Sequence, residues 1–436
     1  MLHDRKKKTI YYDNALIKVY DVPIFYIPKL SHPDPTVERR SGFLPPSISD
    51  TKNLGESISI PYFFDIAKNK NFTLTNRLYA TENPLFLGEY HQVLKDSFFM
   101  ADFGFTEGYI KTSSTKKGGE KSHIFTKFSK NFRGKNNSEN SLSLSIQDTS
   151  NDKYLKLYKI KSNLVDYNTD TLNNSLDFTH EDENIFFGLN ASVYETLNEN
   201  YNDKYEYILP EVTIDKNLIT NEKLGSIDLQ TNYKIHNYDT NKFTNFFVND
   251  LSWNYNQINF KSGLKGNILG HLKNINYETR NVDLYKKDPT SEIYGALGFL
   301  TELDLFKENK GFKSFLTPKM LLRYAPGSMR KETEGSRLDP IKAFNIDRLN
   351  NINNFETGLS ASLGFDYESN YDDKNFNFSV AQVINERENK QKNSKSGLDE
   401  ELSDLVGSAS YDVNKSFSLN YNFAKRVLNF QLCSSI

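Results

Sequence analysis

Side chains that could do chemistry are few in this chain, and their spacing suits little of it. His32 and Asp34 sit close enough in Ser31-His32-Pro33-Asp34-Pro35 to share a proton or a metal. Two prolines lock them into a turn, however, and no nucleophile elbow accompanies them. They read as connector residues. The seven histidines are scattered without a His-x-x-x-His spacing, which argues against a zinc site. Carboxylates bunch at Glu181-Asp182-Glu183, Asp372-Asp373 and Asp399-Glu400-Glu401. Paired acids can hydrolyse or hold calcium, but acids bunched in polar connections read as solvated charge. Cys433 is the one cysteine, so neither an internal disulfide nor a thiolate metal set can form. The expectation is a protein that is not an enzyme, with no catalytic residue, no metal and no cofactor.

The elements that carry these residues follow from composition and period. The 54 Lys and Arg nearly balance the 56 Asp and Glu, leaving no basic field for nucleic acid. Aromatic residues make up 14% of a chain whose mean hydropathy is −0.63, a mixture that suits strands with one apolar face. No run of apolar residues is long enough for a transmembrane helix, but a membrane barrel strand needs only about 9–11 residues with alternate ones apolar. Met1-Leu2-His3-Asp4-Arg5 is followed by no apolar core of a signal peptide, and Met1 is read as a position inside a longer protein.

A period of two runs through the chain from residue 56 onward. Leu142, Leu144 and Ile146 alternate with serines; Ile227, Leu229, Tyr233 and Ile235 alternate with polar residues; Leu359, Ala361, Leu363, Phe365 and Tyr367 do the same, as do Phe376, Phe378 and Val380, then Phe417, Leu419, Tyr421 and Phe423. About 16 such segments are countable up to residue 423. They fit two or three sandwiches or one large barrel, and the lack of a linker-like break after Pro61 favours the barrel. The longest connection, residues 325–356, has the length of a functional loop. Before the period begins, residues 9–12 and 15–20 read as two short strands around an Asp13-Asn14 turn.

Between these regions, residues 20–64 hold Pro23, Pro28, Pro33, Pro35, Pro45, Pro46 and Pro61. That density excludes a helix or a central strand. It reads as two extended pieces, 22–27 and 56–64, joined by a stiff connector. Pro61 either begins its strand or interrupts the hydrogen-bond ladder inside it.

Three ordered runs in this stretch resemble the outer-membrane lipopolysaccharide-assembly family, LptD (also OstA or Imp): Pro23-Ile24-Phe25-Tyr26-Ile27-Pro28; Arg39-Arg40-Ser41-Gly42-Phe43-Leu44-Pro45; and Ile60-Pro61-Tyr62-Phe63-Phe64. The likeness continues at Leu316-Thr317-Pro318, Arg323-Tyr324, Asp347-Arg348, Gln382, Ser396-Gly397-Leu398 and Ser403-Asp404. The resemblance implies an all-β fold: a large antiparallel transmembrane β-barrel, incomplete here, preceded by the last strands of a periplasmic β-jelly roll. The implied division is 1–30 jelly-roll end, 31–55 Pro-rich connector, 56–423 barrel and 424–436 an aberrant or truncated tail, since Lys425-Arg426 falls where a lipid-facing partner is due.

It also implies a function, transport of lipopolysaccharide into the outer leaflet of the cell outer membrane through a barrel that opens sideways. Ile60, Pro61, Tyr62, Phe63 and Phe64 would form the gate strand. Pro23, Tyr26, Pro28, Arg40, Ser41, Gly42, Phe43 and Leu44 would form the junction of jelly roll and barrel. Many members carry a second proline shortly after the gate strand; this chain has Ala67-Lys68-Asn69 there, so the gate would lean on Pro61. Implied partners are lipopolysaccharide, an LptE-like lipoprotein plug, an LptA-like periplasmic bridge protein, outer-membrane lipids and the barrel-assembly machinery. The rival readings are another outer-membrane barrel, a porin or plugged receptor, or a surface β-rich adhesin.

Overall fold

The computed structural model describes residues 2–19, 22–37, 39–113, 116, 118–197, 204–255, 257–309, 311–333, 337–349, 351–371, 374–414 and 417–426. It is all-β. Strands Leu2–Asp4, Thr9–Val19 and Val22–Pro33 form a three-stranded sheet. The other 22 strands found among the described residues belong to one sheet whose strand order closes as a barrel. No helix among them is long and apolar enough to cross a membrane. The expected strand number of about 16 is too low. Gly42–Phe43, Ser47–Thr51, Ile258–Asn259 and Leu305–Asn309 are two to five residues long, too short to show a period, and 22 less these four leaves 18 longer strands.

Packing divides the chain into two units. The first comprises Met1–Phe132, Ser141–Asp177 and Ser192–Tyr205. Its three-stranded sheet corrects the expected turn at Asp13-Asn14: Thr9–Val19 is one continuous strand. Asn14 takes a left-handed φ of 52°, which Asn tolerates, and the register places it opposite Pro28, where the ladder lacks a donor in any case. The unit's apolar core gathers around the five-residue helix Tyr154–Tyr158. Arg77 Nη1 donates to the Tyr158 carbonyl at 2.6 Å, and the buried His123 lies 3.1 Å from the Tyr154 hydroxyl and 3.2 Å from Asp102.

The second unit comprises Arg133–Asn140, Phe178–Ala191 and Glu206–Ile436. Its strands sort their faces as the alternation predicts. On Gly358–Tyr371, Leu363 is 44% exposed while Ser362 is 1% exposed. On Thr290–Leu303, Ile293 is 71% exposed beside the buried Tyr294. On Phe312–Ala325, Leu322 and Tyr324 are exposed while Arg323 between them is buried. Cross-strand pairs Leu297–Tyr324, Tyr324–Leu359 and Met320–Leu363 join the exposed side chains into one apolar belt. The covered face mixes polar and charged residues, such as Ser362 and Arg323, with apolar ones such as Ile275 and Leu321.

Two long connections supply that cover. In residues 326–357, Leu338 and Ala343 join Ala381, Val383, Leu398 and Val406 in one apolar cluster, and Phe355 is fully buried in another. Residues 386–404 pack alongside. Lys425 and Arg426, expected where a lipid-facing partner is due, stand at the end of the last described strand. Strand Phe417–Lys425 ends at Lys425, and Arg426 turns to Glu400 at 2.9 Å and Asp399 at 3.5 Å. Its charge meets loop acids. Cys433 and the rest of the expected aberrant tail from 427 lie outside the described residues.

Candidate functional site

Strand Gly55–Ala67 is built on alternation, with Ser57 and Ser59 buried and Ile58 exposed. Its second half continues the pattern in aromatic residues. Ile60, Tyr62 and Phe64 share the face of Ile58; Pro61 and Phe63 share the other. A ladder of rings runs across neighbouring strands: Phe43 meets Tyr62 edge-on at 4.9 Å, Tyr62 meets Phe64 at 4.6 Å, and Phe64 stacks on Phe72 at 5.7 Å. On the opposite face the Arg39 guanidinium lies over Phe63 at 5.7 Å.

Pro61 lies in the middle of this strand and pairs with Thr75 of Lys70–Tyr79. The alternative that it merely begins a strand is overturned. Its carbonyl accepts from the Leu44 backbone N–H at 2.9 Å. In an antiparallel pair a residue's N–H and C=O point to the same neighbour. The donor that proline lacks would therefore have met Leu44, on the connector side. That side is interrupted again by Pro45 and Pro46, which separate strand Gly42–Phe43 from Ser47–Thr51. Both short strands pair with Gly55–Ala67, at Phe43–Tyr62 and at Ser47–Ser59. The expected stiff connector is thus partly sheet: a two-piece strand with a proline gap opposite Ile60 and Pro61.

The junction residues divide into two groups. Ser41, Gly42, Phe43 and Leu44 lie against the gate-strand candidates, and the Ser41 hydroxyl accepts from the Asp65 N–H at 2.8 Å. Arg39 reinforces them through the Lys68 carbonyl at 2.8 Å and Asp65 at 3.4 Å. Pro23, Tyr26 and Pro28 instead stand in strand Val22–Pro33 of the three-stranded sheet. There the Tyr26 hydroxyl donates to Asn14 Oδ1 at 2.5 Å. Arg40 bridges the groups, its Nη1 donating to Thr9 Oγ1 at 2.5 Å.

A second constellation, in the second unit, escaped the sequence as a unit. Glu356 is 1% exposed and accepts two hydrogen bonds from Arg348, each of 2.7 Å, and one from Lys392 Nζ at 2.6 Å. Arg348 also donates to the Ser360 hydroxyl at 2.8 Å and Ser362 at 3.3 Å. Arg323 donates to the Ile346 carbonyl at 2.5 Å and to the Glu356 carbonyl. Burial works to raise the Glu356 carboxyl, but Arg348, Lys392 and Arg323 overcome it and hold it well below the usual glutamate range. Burial lowers the Lys392 ammonium, with Glu356 opposing.

Arg323, Asp347-Arg348, Gln382 and Ser403-Asp404 had been legible only as motif words. Their structural use is to bind loops to strands and to each other: Gln382 Nε2 donates to the Ser403 carbonyl at 3.1 Å, and Arg337 of one long connection reaches Asp404 of the other at 3.1 Å. Glu356 and Lys392 gave no signal, because isolated charges in polar loops look solvated. That reading fails at Asp399 too, which is 6% exposed. Glu181, Asp182 and Glu183 line a 440 Å³ cavity with Asp215, Asp228 and Asp250. Among the described residues no group of three or more His, Cys, Asp or Glu is placed to hold a metal.

No family model matches the chain. Among curated proteins it is similar to LPS-assembly protein LptD of Psychrobacter cryohalolentis, 36% identical over 83 residues, 19% of this chain and 8% of that protein. It is 38% identical over 84 residues to LPS-assembly protein LptD of Pseudomonas aeruginosa, 19% of this chain and 9% of that protein. The match to LPS-assembly protein LptD of Nitrosococcus oceani is 28% identical over 178 residues, 41% of this chain and 22% of that protein. The matched stretches thus span less than a quarter of these relatives' lengths.

Proposed function

We propose that this chain, which belongs with the LPS-assembly protein LptD family over the matched segments, is part of an outer-membrane barrel that delivers lipopolysaccharide to the outer leaflet. The observation that carries the reading is the sorting of strand faces in the second unit. An apolar belt is exposed there across three strands, on strands whose covered face carries side chains such as Arg323, Ser360 and Ser362. A soluble protein rarely exposes so large an apolar surface; a bilayer solvates it, and each buried methylene then contributes about 0.8 kcal/mol.

In this reading the Pro61 seam is the lateral gate. Strand Gly55–Ala67 keeps its ladder to Lys70–Tyr79 and is held on the connector side by two short pieces. Acyl chains would leave beside the exposed rings of Phe43 and Phe64, with the half-buried Tyr62 between them, without covalent chemistry. A lipoprotein plug and a periplasmic bridge protein would be the partners, the latter adding strands to the three-stranded sheet. The test is depletion of the natural full-length protein followed by staining of surface lipopolysaccharide. Loss of surface lipopolysaccharide with other barrels intact is expected; normal staining would overturn the exporter reading in favour of a porin or receptor.

A further inference from the structure

We propose that the second unit carries, on its exposed apolar face, a binding site for one glycerophospholipid, with Lys374 taking the phosphate. The site is a 550 Å³ cavity lined by Asn309, Phe312, Tyr371, Lys374, Phe376 and Tyr411, together with Ser369. The register builds it from neighbouring strands, because Asn309 lies opposite Phe312, Phe312 opposite Tyr371, Tyr371 opposite Lys374, and Phe376 opposite Tyr411. Alternation along Phe312–Ala325 puts Phe312 on the side of the exposed Leu322, and along Gly358–Tyr371 puts Tyr371 on the side of Leu363. The cavity therefore continues the apolar belt.

Its chemistry is that of a membrane interface. Phe312 and Phe376 give apolar wall. Asn309, Tyr371, Lys374 and Tyr411 bring polar heads that make no side-chain hydrogen bond or ion pair among the described residues. Aromatic residues with a polar tip and lysines with an apolar stem gather where acyl chains give way to headgroups. A lone ammonium beside two phenols complements a phosphodiester and its ester carbonyls; the phenylalanines suit the first methylenes. The cavity sits at the strand ends Asn309 and Phe312, and Tyr371 and Lys374, which only two residues separate in each case, whereas the connections 326–357 and 386–404 leave from the other end. In membrane barrels short turns mark the periplasmic side, so the lipid is one of the periplasm-facing leaflet.

The proposal rests on the bilayer reading above, and the experiment separates the two. The chain is purified in detergent, stripped of lipid, given phosphatidylglycerol, and examined by native mass spectrometry, with heat-modifiable migration as the measure of barrel integrity. One lipid should survive activation that removes the rest. Lys374→Ala and Tyr411→Ala should each lower that fraction roughly tenfold, the scale of one charge-assisted hydrogen bond, with migration unchanged. Leu297→Ala, elsewhere on the belt, should not lower it, and diacylglycerol, which lacks the phosphate, should not compete. Equal retention by wild type and Lys374→Ala, with heat-modifiable migration intact, overturns the site and leaves the barrel. A chain that shows neither heat-modifiability nor retained lipid overturns both.

Discussion

The proline seam of the first unit and the loop cluster of the second solve opposite problems. Along strand Gly55–Ala67 the backbone is deliberately under-bonded on one side: Pro61 lacks a donor, and Pro45 and Pro46 split the facing strand. What remains there is two short ladders, the single Leu44–Pro61 bond and ring contact, with Phe43 itself 76% exposed. The Glu356 carboxylate is buried and answered by Arg348 twice and by Lys392, and Arg348 is answered in turn by the hydroxyls of Ser360 and Ser362. Contacts of rings slide at little cost, whereas a buried carboxylate cannot leave its cations without facing a large desolvation penalty. The seam can move. The cluster holds still.

The strongest way to break this contrast is at Glu356. Glu356→Leu leaves Arg348 and Lys392 buried without a counter-charge, and removing one partner of such a pair costs about 3–5 kcal/mol. Limited proteolysis should then cut within residues 326–357 of the variant, while the wild type should resist there. Undiminished resistance would mean the ion cluster does not hold the loops.

Acid provides a graded version. The folded Glu356 is held below its ordinary range, so its contribution is complete above the unfolded pKa of about 4.3 and is lost only as pH falls from there through the folded value. Protease protection of residues 326–357 should stay flat from pH 7 to about 5 and decline below about 4.3. Glu356→Gln, protected less at neutral pH, should flatten that decline. A loss beginning near pH 6 would assign the loops to another group.

At the seam the expected effects are smaller. Pro61→Ala restores one donor towards the Leu44 carbonyl, worth about 1 kcal/mol. Export by the natural full-length protein should slow while folding yield is kept, and unchanged export would separate Pro61 from the gate. Smallest of all, Arg40→Lys should keep the charge but lose the guanidinium geometry at Thr9. Spin labels on strands Thr9–Val19 and Gly55–Ala67 should then report a broader distance distribution, with export nearly normal. An unchanged distribution would show that Arg40 does not position the junction.

The same contrast explains what the sequence could say. Alternation is local, so Leu363 against Ser362 was legible as two faces, while the aromatic strand at Ile60–Phe64 was legible through the resemblance. Pro61 was legible as a ladder defect but not as to side, because that depends on which neighbour its carbonyl meets. Asn14 misled because Asn serves equally in turns and in left-handed strand positions. The Glu356 cluster was opaque for a different reason. Its members come from residues 323, 348, 356 and 392, and nothing near Glu356 or Lys392 in the chain distinguishes a buried charge from a solvated one.

That spacing has a consequence for the order of assembly. Glu356 lies 36 residues from Lys392 and 33 from Arg323, and Lys392 follows strand Lys374–Asn385. Until that strand has paired with Gly358–Tyr371, the carboxylate lacks one of its cations and has good reason to stay in water. Closing such loops costs entropy before the contacts repay it. The cover over this part of the sheet is therefore set late, after the strands beneath it, so the growing sheet is wet on its inner face while it forms and dries there only when Lys392 arrives.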